Sequence, residues 1–154
     1  MKLYKFTKAG GESLFGAHTW DLPKWSSKKD KWKPGKWYAV FGDLEPCSNG
    51  VHVCDASMLY HWYEKSRELY EVELEKKAKV LVCATKLVTR RARLIKKIDI
   101  QYEDMVEAMA MADEKMEELR DAPMPMSVWQ KTWESICGQA LEHIFHNKDY
   151  KNRI

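Results

Sequence analysis

Glycine and proline are scarce in this chain, seven and five among 154 residues. That scarcity excludes collagen-like and low-complexity architectures and leaves an ordinary globular composition. No apolar run approaches the length of a bilayer span. The opening MKLYKFTKAGGESLF has no continuous apolar stretch of the kind a secretory leader carries. A cytoplasmic protein is expected, with its four cysteines (47, 54, 83 and 137) as thiols rather than disulfides.

Catalytic signatures are missing as well. There is no Walker loop, Rossmann fingerprint, Gly-x-Ser-x-Gly elbow or His-Glu-x-x-His. Their absence removes the commonest phosphate-binding and hydrolase signals without excluding an enzyme. Among the residues themselves nothing calls for a cofactor.

What is present is unevenly charged. Residues 1–54 carry nine lysines against five acids, and residues 55–100 eleven basic residues against seven. Residues 101–154 reverse this, with six basic residues against eleven acids. A basic first two-thirds on an acidic last third can mark a surface for nucleic acid or an acidic partner, though the plainer reading is a solvated surface, or two lobes that attract each other.

The pattern predicts an α+β fold, with a β-rich region over 1–98 and a helical hairpin over 99–154 packed on it. Residues 2–7 and 13–20 read as an N-terminal β-hairpin turning at Gly10-Gly11. Further strands are expected at 36–43, 51–54, 68–75 and 77–89. Asp55 or Ser57 caps a helix reaching about Arg67. Apolar residues then recur at Tyr102, Met105, Val106, Met109, Ala112, Met116 and Leu119, the stripe of an amphipathic helix stopped at Pro123 and Pro125. Ser127, with Gln130 as its capping-box partner, opens a second helix ending near Asn147.

Residues 20–37, WDLPKWSSKKDKWKPGKW, hold four tryptophans among six lysines. WDLPKW and WKPGKW share a Trp–four residues–Trp frame, a proline and a terminal Lys-Trp. Stacked bases want exposed rings and a phosphate backbone wants cations. TRRARLIKK adds five positive charges in nine residues. The partner-binding candidates are therefore Trp25, Trp32, Lys28, Lys29, Lys31, Arg90, Arg91 and Arg93. The plainer reading is that the rings anchor a loop while the lysines stay wet. Trp37 and Trp20 end or begin strands, so Trp25 and Trp32 are the pair whose exposure decides.

Cys47, His52 and Cys54 lie within eight residues, and alternation puts His52 and Cys54 on one strand face. Zinc needs about four convergent ligands, and Cys-x4-His-x-Cys matches no usual template. No metal is expected, these three being only weak candidates. The same residues also form a Cys–His pair for nucleophilic chemistry if the thiol is accessible. In YEVELE, Glu71, Glu73 and Glu75 share a face, which calls for Lys or Arg opposite, for example from KKAK or TRRAR.

LYKFT, CSNGVHVCDAS, LYEVELE and KVLVCATKLVTRRARLI together resemble an uncharacterised domain of bacteriophage and prophage proteins. Its Cys-x-x-Gly-x-His-x-Cys core corresponds to Cys47, Gly50, His52 and Cys54. The resemblance spans about 2–98 and leaves the Trp/Lys segment outside as an insertion. It implies a phage origin rather than a reaction. With the Trp/Lys density, the charge asymmetry and the missing catalytic motifs, the expectation is a non-enzymatic phage accessory protein in the host cytoplasm that binds a host protein or nucleic acid. The strand order is also similar to that of ADP-ribosyltransferases, which implies an alternative with NAD as cofactor and Glu73 and Glu75 as the catalytic carboxylates. Lys5 stands where that family has His or Arg.

Overall fold

The structure is a computed structural model that describes residues 1–16 and 18–152, with side chains to residue 149. Ala17, inside the expected second strand, and residues 153–154, at the expected C-terminal end, lie outside the described residues. The fold is α+β, a β-rich N-terminal region with short helices followed by two helices packed together. The chain forms two compact units, Met1–Asp55 with Ser66–Ile98, and Ala56–Lys65 with Asp99–Ile154.

Among the described residues the first unit holds nine strands. They are β1 (Leu3–Thr7), β2 (Lys24–Ser26), β3 (Lys31–Lys33), β4 (Tyr38–Ala39), β5 (Val51–Val53), β6 (Glu68–Leu74), β7 (Val80–Val82), β8 (Leu87–Thr89) and β9 (Arg91–Ile98). The main sheet runs β1-β6-β9-β4, a second runs β5-β8-β7, and β2-β3 form a ribbon. A bridge between Tyr4 and Cys54, bonded both ways at 2.7 and 2.8 Å, ties the end of β5 to β1. Tyr4, Phe6, Tyr70, Val72, Ala92, Leu94, Val51, Val53 and Val88 are buried.

Several expected strands are corrected. The described residues of 13–20 form no strand, and β1 pairs with β6 instead, Leu3 opposite Val72. Positive φ at Gly10, Gly11 and Gly16 (80°, 86° and 90°) bends the segment into an irregular loop closed by Trp20 N–H to Gly11 O. The 36–43 strand shrinks to Tyr38–Ala39, paired with Ala92 and Arg91. Residues 77–89 are two strands joined at Cys83, whose N–H bonds Lys86 O. The basic run 91–98 is itself the central strand β9, its Ala92 and Leu94 buried between the half-exposed Arg91, Arg93 and Ile95. A register shift between Glu71 and Val72 makes Ile95 an extra residue of β9.

In the second unit a 3-10 turn (Ala56–Met58) leads into α1 (Leu59–Trp62). Far from reaching Arg67, the helix ends at Tyr63, which turns extended at φ −67°, ψ 131°. Residues 64–67, Glu-Lys-Ser-Arg, have no apolar side chain to bury, so a further turn gains nothing. Neither Asp55 nor Ser57 is its cap, which is Met58.

The long helices are α2 (Tyr102–Glu118) and α3 (Met126–Asn152). The buried stripe of α2 is Met105, Ala108, Ala112 and Met116, while Tyr102, Val106 and Leu119 of the expected stripe are exposed. Alanines at the centre let α3 approach closely, with Cys137, Ala140, Leu141 and Phe145 buried on its side. Ser127 lies inside α3, which begins at Met126, and Gln130 bonds Glu134 rather than reaching back. The helix also runs past Asn147. Gly138 lies against the turn before α1, where a Cβ would stand 2.6 Å from Ala56 C.

Candidate nucleic-acid interface

The Trp/Lys segment folds into the β2–β3 hairpin. Trp25 stands opposite Trp32, Lys24 opposite Lys33 and Ser26 opposite Lys31. The two hexapeptides that share a Trp frame thus run antiparallel to each other, joined by a four-residue turn, 27–30. Ser26 Oγ accepts the Lys29 N–H at 3.3 Å, and Asp30 takes the left-handed conformation (φ 49°) that closes the turn. At the base, Asp21 Oδ2 accepts the Lys36 N–H at 2.8 Å, and Gly35 N–H bonds Leu94 O at 2.9 Å, fixing the ribbon to β9. Gly35 is required there, since a Cβ would lie 2.0 Å from Asp21 O.

The Trp25 and Trp32 rings meet edge to face, centroids 5.7 Å apart and planes at 66°. Trp25 is 46% exposed and Trp32 is half-buried. Alternation puts the rings on one face of the ribbon and Lys24, Lys31 and Lys33 on the other, while Lys28 and Lys29 occupy the turn. Among the described residues none of these five lysines pairs with a carboxylate. Lys24 and Lys33 are like charges directly across a ladder, an arrangement that costs stability unless an anion sits nearby.

The other tryptophans belong to the body of the unit. Trp20 is buried. Trp37 holds Arg91 and Arg93 over its ring, 4.7 and 4.8 Å from the centroid. Those arginines also face the acidic strand. Arg93 donates from Nε and Nη2 to Glu73 Oε2 at 3.1 and 3.0 Å, and Arg91 Nη1 lies 3.8 Å from Glu75 Oε2. The aligned glutamates thus find the cations that their spacing calls for. Of the partner-binding candidates, Trp25, Trp32, Lys28, Lys29 and Lys31 come together on the hairpin. Arg91 and Arg93 are committed to Trp37 and the glutamates, and Arg90 is exposed beside β4.

Cys47, His52 and Cys54 do not converge. His52 Nε2 accepts the Cys47 backbone N–H at 2.9 Å, and the exposed Cys47 Sγ contacts Lys86 Nζ. Cys54 is buried, its Sγ 3.5 Å from Tyr4 O. Burial pushes the Cys54 thiol up to about 12, far from a thiolate nucleophile. Among the described residues no group of three or more His, Cys, Asp or Glu is placed to hold a metal ion. No helix among them is long and apolar enough to cross a membrane.

Residues 22–108 match the family described as a domain of unknown function (DUF7666). The chain belongs to this family. The DUF7666 match begins just before β2, so the Trp/Lys hairpin lies within the family's span and is not an insertion. It leaves out β1 and α3 and ends inside α2. No curated protein matches this DUF7666 chain, and no solved structure does.

Sequence reasoning missed the Trp37–Arg91–Arg93 stack. The alternation Arg91-Ala92-Arg93-Leu94 was the signal for it, hidden by the density of positive charge.

Proposed function

We propose that this protein is a non-enzymatic phage accessory protein that binds single-stranded nucleic acid in the host cytoplasm through the β2–β3 hairpin. The observation that carries the reading is the Trp25–Trp32 pair, with Trp25 exposed and Trp32 half-buried, on a ribbon whose five lysines have no carboxylate partner among the described residues. Base stacking on an aromatic platform is sequence-tolerant, and lysines along the ribbon neutralise phosphates. The phage setting rests on the resemblance of the Cys47–Gly50–His52–Cys54 core.

The experiment is a tryptophan-fluorescence titration with single-stranded oligonucleotides at two salt concentrations. Trp25→Ala is expected to weaken binding by about 1–3 kcal/mol, the range for one stacked base. Replacing Lys28, Lys29 and Lys31 with Ala is expected to flatten the salt dependence by roughly 2 log units per log unit of salt, about 0.7 for each lost phosphate contact. Binding that is absent, or that survives both changes, overturns the reading. A hairpin-dependent complex with a protein and not with an oligonucleotide replaces nucleic acid with a protein partner.

A further inference from the structure

A second polar cluster lies in the first unit, around Lys5. Lys5 sits on β1 opposite Tyr70, and its ammonium is turned inward, where it donates to His52 O at 2.7 Å. It lies 5.5 Å from the centre of the Trp20 ring. Beside Trp20 stand His18, at 5.1 Å between ring centres, and Tyr38, at 5.2 Å, and His18 stacks on Tyr38 at 3.6 Å.

Three features of this cluster are costly as they stand. Trp20 is only 4% exposed, and its indole N–H has no hydrogen-bond partner among the described residues. His18 Nε2 is likewise buried and without a partner. The Lys5 ammonium has three donors and one acceptor, and among the described residues no carboxylate pairs with it. Buried polar groups in native proteins are almost always satisfied, and an unpaired buried cation costs more than a neutral group. Desolvation brings the Lys5 amine down to about 8, so it is still mainly charged at neutral pH. Burial and the Lys5 charge lower His18, leaving a neutral ring able to carry its proton on Nε2.

We propose that Lys5, His18 and Trp20 form a binding site for a small oxyanion group, a carboxylate or a phosphate. All three then donate to oxygen. The three groups are immediate neighbours, the Lys5 ammonium 5.5 Å from the Trp20 ring centre and the His18 ring centre 5.1 Å from it. The anion supplies the countercharge that Lys5 lacks, and the half-exposed His18 forms the rim through which it enters. The site is independent of the Trp25–Trp32 ribbon and of its reading.

The test uses the full chain and follows indole N–H signals by NMR while inorganic phosphate, acetate, a nucleoside monophosphate and sodium chloride are added separately. Trp20→Phe identifies the Trp20 signal. A saturable shift of that signal with phosphate or acetate, absent with chloride at equal ionic strength, is expected. A response to the nucleoside monophosphate stronger than to inorganic phosphate identifies a phosphate ester as the ligand. The anion that shifts the signal is expected to raise the melting temperature of the wild type and not of Lys5→Met. If Lys5→Met does not fold, His18→Phe takes its place. A Trp20 signal that stays unmoved by every anion through the millimolar range, or that moves equally with chloride, overturns the proposal.

Discussion

Arg93 donates two hydrogen bonds to a single carboxylate oxygen of Glu73 while its guanidinium covers the Trp37 ring. One arginine thus joins β6, β9 and the end of the Trp/Lys segment. Glu73→Gln is expected to cost about 0.5–1 kcal/mol of stability, since both side chains are partly wet. A double-mutant cycle with Arg93→Met in chemical denaturation measures the coupling. The same Glu73→Gln variant, with Glu75→Gln, is expected to leave any NAD cleavage unchanged. Loss of a measurable NAD turnover in either variant would favour the transferase alternative.

Trp32→Ala is expected to loosen the hairpin alone. The edge-to-face pair is worth about 0.5–1.5 kcal/mol beyond its buried area. Amide exchange at Lys24, Ser26 and Lys31 is expected to speed up while Val72 and Leu94 keep their protection. Equal acceleration in β6 and β9 would show that the ribbon is part of the main cooperative unit.

Gly138→Ala reverses the usual helix rule. Alanine normally stabilises a helix interior by about 1 kcal/mol over glycine. Here its Cβ meets the Ala56 carbonyl and the Ser57 nitrogen at 2.7 Å, backbone that cannot swing aside. A net loss of about 1–3 kcal/mol is expected, the overpacking range. A stabilised variant in thermal unfolding contradicts the close approach of α3 to that turn.

Alkaline pH separates the buried groups. Unfolded, Lys5 keeps its proton up to 10.5, whereas folded it loses it near 8, so the unfolded state binds more protons in between and stability rises. Cys54 does the opposite from 9.0 to about 12, and Cys137 from 9.0 to about 11, because burial holds their protons in the folded state. Between pH 8 and 9 the Lys5 gain of about 1 kcal/mol is largely offset by the two cysteines, so stability is expected to be nearly flat there and to fall above pH 9. Urea titrations across this range check the plateau and the fall, and Lys5→Met is expected to start the fall already between pH 8 and 9.

Local patterns were legible where an element depends on its own residues. The strand β6 and the helices α2 and α3 announce themselves by alternation and by a 3.6-residue stripe. Elements defined by distant partners were not. β1 looks like half of a hairpin because Gly10-Gly11 follows it, yet its partner β6 lies more than sixty residues on. The turn at Cys83–Lys86 has no glycine, proline or asparagine to mark it, so β7 and β8 read as one strand. At the candidate interface, the Trp25–Trp32 pairing follows from the repeated frame once the hairpin is known. The convergence of Lys5, His18, Trp20 and Tyr38 depends on a loop path that no spacing rule encodes.

The segment Ala56–Lys65 belongs to the helical unit although it is threaded between β5 and β6. His61 bonds Glu134 at 2.9 Å across 73 residues of chain. On a ribosome adding about 5–20 residues per second, that acceptor emerges roughly 4–15 s after its partner. Throughout that interval Met58 and Leu59 lack the helix α3 against which the 3-10 turn packs. A nascent chain stalled before α3 therefore presents a short apolar segment, open to chaperones and proteases, that the finished protein conceals.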